Sequence, residues 1–169
     1  DSPLENPFIT HRLHNMNEDA IVCAIRSLGL DNINGSRVKV VYVPCYMNGS
    51  DGVFDMSYYD LLIGNDLSVY PSYYEPWGYT PLESVAFRIP TITTNLAGFG
   101  LWVNSLLGKQ GEMSDGVEVI QRTDSNYFEM SDVIYNAHNL HNVGNCYFFT
   151  AKCNSILQKI ILRKIVVIG

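Results

Sequence analysis

At 169 residues, 47% of them hydrophobic, the chain is long enough to bury the core of one ordinary domain, and disorder is not its default state. A formal net charge of -6 argues against a general nucleic-acid or membrane-surface binder, because both partners are polyanions that call for a basic face. Four cysteines, Cys23, Cys45, Cys146 and Cys153, form no CxxC pair and are too sparse for a secreted disulfide scaffold, so reduced thiols and a cytoplasmic location are expected.

The first residues, Asp1-Ser2-Pro3-Leu4-Glu5, carry no initiator Met and no secretory pattern, which is the look of a piece cut from a longer protein. The apolar runs near the C-terminus are interrupted by Arg163 and Lys164, short of the ~20 residues a membrane helix needs, so a soluble protein is expected.

Along the chain, Asn17 reads as an N-cap and Glu18 and Asp19 as first-turn acids, with Ile21, Val22, Ile25 and Leu28 forming one buried helical face before Gly29. Arg37 to Val43 is a β-branched run ended by Pro44, the pattern of a strand in a sheet covered on both faces. Asn48-Gly49-Ser50-Asp51-Gly52 is turn chemistry. Ser57 is placed to cap a short helix from Tyr58 to Ile63, and Leu67 to Tyr70 is a short strand stopped by Pro71. A helix from Pro81 to about Phe87 and strands at Thr91 to Thr94 and Val117 to Ile120 complete the rhythm. Strands alternating with helices at these intervals predict an α/β fold with a Rossmann-like parallel sheet. From about Asn136 no period of either kind is visible, and residues 136–169 are read as an atypical tail beside a domain spanning 1–135.

In such sheets ligands bind beyond the carboxyl ends of the strands, which directs attention to the segment after Tyr70. It reads Ser72-Tyr73-Tyr74-Glu75-Pro76-Trp77-Gly78-Tyr79-Thr80-Pro81-Leu82-Glu83. Thr80-Pro81-x-Glu83 has the form of a capping box with Pro at the first helical position, so the amides around Gly78, Tyr79 and Thr80 should converge on a helix N-terminus. A terminus of that kind offers unpaired donors and partial positive charge to a diphosphate, and Gly78 would allow close approach. Glu75 and Glu83 can each accept hydrogen bonds from a polyol, a sugar and a ribose being the natural pair.

This string, with Pro71 before it and Ile89-Pro90-Thr91-Ile92-Thr93-Thr94-Asn95-Leu96-Ala97-Gly98-Phe99-Gly100 after it, resembles glycogen synthases of the animal and fungal type and their bacterial relatives. The likeness runs back to Thr10-His11-Arg12-Leu13 and forward to about Asp132. It implies part of the C-terminal domain of a GT-B glycosyltransferase, transferring glucose with retention from UDP- or ADP-glucose to the 4-hydroxyl of an α-1,4-glucan. Carried over by position, Glu75 is the catalytic-side acid on the donor glucose and Glu83 takes the ribose. Trp77, Gly78, Tyr79 and Thr80 line the donor sugar and phosphates, and Tyr58 stacks on the base. Neither a metal nor a separate cofactor is implied.

The same resemblance places a phosphate-gripping Arg and Lys, and an acceptor-side domain for the glucan, upstream of Asp1. On that expectation the chain supplies only the donor-side wall and is inactive alone; a homo-oligomer is open to the full-length protein. The family's closing helices, rich in Trp, Phe and Tyr, do not resemble the tail, for which a truncated or frameshifted gene is the expected cause.

Plainer roles stand beside these. Glu83 alone completes a capping box, Tyr58 packs a helix, and Trp77, Tyr73 and Tyr74 are half-buried aromatics at a strand end. His138, His141, Cys146 and Cys153 include zinc-ligand types at a spacing that fits no familiar finger, and His11 and His14 suit a surface loop. Another retaining GT-B enzyme of the sucrose or trehalose-phosphate synthase type would share the paired glutamates without the full string, and a non-catalytic nucleotide-sugar-binding remnant is the rival from outside enzymology.

Overall fold

Parallel strand pairing dominates the architecture, as the alternation of strand and helix signals predicts. The computed structural model describes residues 8–30, 32 and 39–123 together with the backbone of Lys164–Val167. The chain divides into two compact units, one drawn from Asp1–Asp60 with Ile156–Gly169 and the other from Leu61–Ser155.

In the first unit, helix α1 (Ala20–Ser27) packs Val22 and Ile25 into a cluster with Phe8, Ile9, Val40 and Tyr42. Its N-cap is Asp19, whose carboxylate accepts the Val22 amide at 2.9 Å, and not Asn17, whose side-chain oxygen instead accepts from Arg26 at 3.2 Å. A cap must sit where its oxygen reaches the third amide, and Asp19 does. The buried face is narrower than the expected one, since Leu28 is 70% exposed.

Strand β1 (Lys39–Tyr42) is shorter than predicted, Arg37 and Val38 lying outside the described residues. Its burial alternates, with Val40 and Tyr42 inside and Lys39 and Val41 only half covered, which corrects the expectation of a strand buried on both faces. It pairs in parallel with β5 (Lys164–Val167), a strand where the sequence shows no period. Turn chemistry at Asn48 to Gly52 is realised: the Asp51 carboxylate accepts the amides of Val53 and Phe54, both at 2.9 Å, which hold it below the usual carboxylate range. His11 is tied to this loop, its Nε2 lying 2.9 Å from the Asp51 carbonyl oxygen.

Helix α2 (Tyr58–Ile63) contains the division between the units, and Ser57 caps it by accepting the Asp60 amide at 3.3 Å. In the second unit, strands β2 (Ser68–Val69), β3 (Thr91–Thr94) and β4 (Val117–Ile120) form a parallel sheet in the order β2-β3-β4. Helix α3 (Tyr79–Ala86) connects β2 to β3, and α4 (Gly98–Leu107), which the sequence reading did not anticipate, connects β3 to β4. Phe99 and Val103 of α4 pack on Val117 and Val119, joined by Trp77, Leu82 and Val85. Ile92, Ile120 and Met113 form a separate cluster with Val69. Among the described residues no helix is long and apolar enough to cross a membrane.

Candidate functional site

The three strands of the second unit end at Val69, Thr94 and Ile120, and residues at and beyond those ends are tied to one another. Thr94 donates its hydroxyl to the Ser72 carbonyl at 2.8 Å, and the Ser72 hydroxyl donates to the Glu75 carboxylate at 3.0 Å. The Glu75 amide donates to the Leu96 carbonyl at 3.2 Å, and the Gly98 amide donates to the Glu75 carbonyl at 3.1 Å, a short parallel bridge between Glu75 and Ala97. A half-buried carboxylate is thereby fixed at both its backbone and one of its oxygens.

Helix α3 opens immediately afterwards, two residues earlier than predicted. Its N-cap is Gly78, in the left-handed region at φ 98° and ψ 77°, and no side chain caps it. The expected Thr80 to Glu83 capping box is therefore not formed: Thr80 is already the second helical residue and Pro81 the third. Glycine tolerates the left-handed turn that a Thr cap would not need. Glu83, half-buried in the helix, is therefore not a capping residue.

The geometry otherwise agrees with an open helix start. Among the described residues, no hydrogen bond draws on the amides of Gly78, Tyr79 or Thr80, and Pro81 has no N-H to offer. A Cβ on Gly78 would stand 3.6 Å from the Glu75 carboxyl carbon, so the acid lies directly beside this turn. Tyr79 is 69% exposed and Thr80 is exposed.

Trp77 turns toward α4, with its ring 6.4 Å from Phe99 and 6.2 Å from Trp102, and so also serves packing. Tyr58 is the first residue of α2, in the other unit, where its ring meets Tyr59 edge-on at 5.4 Å.

One buried cation at this end escaped the sequence reading. Arg122, 4% exposed, lies just past β4 with its guanidinium carbon 3.9 Å from the centre of the Tyr73 ring. Asn95 clamps its backbone in both directions, accepting the Arg122 amide at 2.8 Å and donating to its carbonyl at 3.1 Å. The signal was available in principle, since Arg122 follows a predicted strand at its carboxyl end. Nearer the amino end of β4, burial pushes the Glu118 carboxyl up while the Met113 amide partly opposes the shift, and the Lys109 ammonium holds Asp115 down.

Among the described residues no group of three or more His, Cys, Asp or Glu side chains is arranged to hold a metal ion; His138, His141, Cys146 and Cys153 lie outside them. Cys23 and Cys45 are free thiols.

A family model described as glycogen synthase matches residues 4–145. The glycogen [starch] synthase of Neurospora crassa is 39% identical over 116 residues, which cover 69% of this chain and 16% of that protein. Isoform 1 of Saccharomyces cerevisiae is 36% identical over the same shares, and the liver form of Mus musculus is 43% identical over 97 residues, 57% of this chain and 14% of that protein. The chain thus spans a small part of the length of the curated relatives it matches.

Proposed function

Because this chain belongs to the glycogen synthase family, we propose that its second unit is the donor-side wall of a glycogen (starch) synthase of GT-B fold. The parent protein transfers glucose, with retention, from UDP- or ADP-glucose to the 4-hydroxyl of an α-1,4-glucan held by an acceptor domain that precedes this segment. The carrying observation is the Glu75 carboxylate fixed beside a helix start whose amides are unspent among the described residues.

In this reading the donor diphosphate sits against the amides of Gly78, Tyr79 and Thr80, where the partial positive charge of α3 stabilises the negative charge that grows on the departing phosphate. Glu75 accepts from hydroxyls of the donor glucose near the reacting carbon, and the departing phosphate takes the proton of the incoming hydroxyl. Trp77 forms the wall between the sugar and α4, and Glu83 holds the ribose. No metal takes part, the setting is cytoplasmic, and the full-length protein is free to form a homo-oligomer. Without the upstream basic groups and the acceptor domain, the 169-residue chain binds but does not turn over.

Calorimetry with UDP, ADP, UDP-glucose and ADP-glucose tests the reading. Binding of one sugar nucleotide is expected, weakened roughly tenfold or more by Glu83→Ala, as befits lost hydrogen bonds to a charged acceptor. Silence toward all four would replace it with a non-catalytic remnant, and measurable glucan elongation by the chain alone would overturn its predicted inactivity.

A further inference from the structure

We infer that Arg122 is a positioning residue for the Glu75 carboxylate, acting through the ring of Tyr73; this deepens the proposed donor site and rests on it. Three observations converge. Arg122 is 4% exposed, too deeply covered to be a surface charge, and its guanidinium carbon lies 3.9 Å from the Tyr73 ring centre, close enough for the ring's negative face to attract it. Its backbone is immobilised by the paired hydrogen bonds to Asn95, so the cation is anchored to the ends of β3 and β4. Tyr73 adjoins Ser72, whose carbonyl takes the Thr94 hydroxyl and whose hydroxyl donates to Glu75.

The chain of contacts therefore runs from the sheet through Arg122 to Tyr73, and from Ser72 to the acid. Tyr73 is itself 51% exposed, so burial alone does not fix its plane. A flat cation against one face does, because the attraction falls away as the ring tilts. Arg122 lies against that ring with little exposure of its own, so its effect on a bound sugar passes through the 72–75 loop.

The test uses the 169-residue chain with Arg122→Met, Arg122→Lys and Tyr73→Leu. Hydrogen exchange at the Glu75 and Gly98 amides, both engaged in the bridge beside α4, is expected to quicken about tenfold in R122M and Y73L while the Thr91 amide, bonded to Gly116 in the sheet, keeps its rate. R122K should stay within about threefold of the native rate, and the double variant R122M/Y73L should be no faster than either single one. With nucleotides, R122M should weaken the sugar nucleotide about tenfold and the parent nucleotide less than about twofold, because Glu75 meets the sugar.

Equal acceleration at Thr91, or none at Glu75, would overturn the role. If R122M does not fold, R122K and Y73L still decide it. A native chain that binds no nucleotide would defeat the proposed function, whereas the exchange rates would continue to judge Arg122.

Discussion

Helices α3 and α4 both begin beside a glycine at the carboxyl end of a strand in the same sheet, yet their openings are used in opposite ways. The first two amides of α4, on Gly98 and Phe99, donate to the carbonyls of Glu75 and Trp77. No described group takes the corresponding amides of Tyr79 and Thr80 in α3. The two glycines differ accordingly: Gly98 is required by close approach, a Cβ there falling 2.2 Å from the Pro76 carbonyl oxygen, whereas Gly78 is required by its left-handed backbone. One helix start is consumed in holding the loop that presents the other. A likeness of glycine placement thus separates into a terminus spent on structure and one whose amides are unspent among the described residues only when the partners of the amides are traced.

The largest way to break this contrast is Gly98→Ala. The clash is with backbone, which cannot swing aside, so the helix must retreat from the loop. Urea unfolding should show a loss of about 3 kcal/mol. A loss below that of Gly78→Ala would mean that α4 does not brace the loop as described. Next in size is Thr94→Val, which strips the Ser72 carbonyl of its donor and the Leu96 amide of its acceptor. About 2 kcal/mol should go, and the loop bearing Glu75 should loosen; unchanged exchange at the Glu75 amide would argue that the bridge to Ala97 suffices.

Gly78→Ala sharpens the comparison from the other side. Its cost in stability should be smaller, about 1 to 2 kcal/mol for a non-glycine residue in the left-handed region. Its effect on nucleotide binding should be the greater one, since the new methyl group enters beside the Glu75 carboxyl carbon and against Pro81. Calorimetry that found native affinity in this variant would move the ligand away from the start of α3.

How much of this was legible follows from where each cause lies in the chain. The placement of an acid beside a helix start between Glu75 and Thr80 could be read because its causes are local: one acid, one glycine and one helix start within a single loop. Even so, the cap was misplaced by two residues, because Thr80-Pro81-x-Glu83 satisfies the capping pattern while Gly78 turns the chain earlier. Strand burial was legible only in part. The apolar run of β1 proves half covered, whereas β3, three of whose four residues are threonine, is buried throughout. β3 lies between β2 and β4 and is joined to them through α3 and α4, a setting absent from its own letters. Helix α4 was missed for a related reason, since its opening glycines read as loop until the Pro76 carbonyl is seen against Gly98 and the Thr94 carbonyl against Gly100. Arg122 needed the β3 and β4 register before it could be set beneath Tyr73.

The smallest effect, and the only stabilising one, belongs to the neighbour of Thr94. Thr93 is equally buried, but its methyl group lies near Gly100 of α4 and its hydroxyl has no hydrogen-bond partner among the described residues. Two adjacent threonines thus serve the two helix starts differently: one hydroxyl holds the loop before α3, and the other residue offers α4 only its shape. Valine reproduces that shape without the buried polar atom, so Thr93→Val should raise stability by about 1 kcal/mol, the desolvation cost of the unpaired hydroxyl. Unfolding of T93V and T94V under the same conditions should therefore move in opposite directions. A destabilised T93V would reveal a partner for its hydroxyl and make both threonines supports of the same kind.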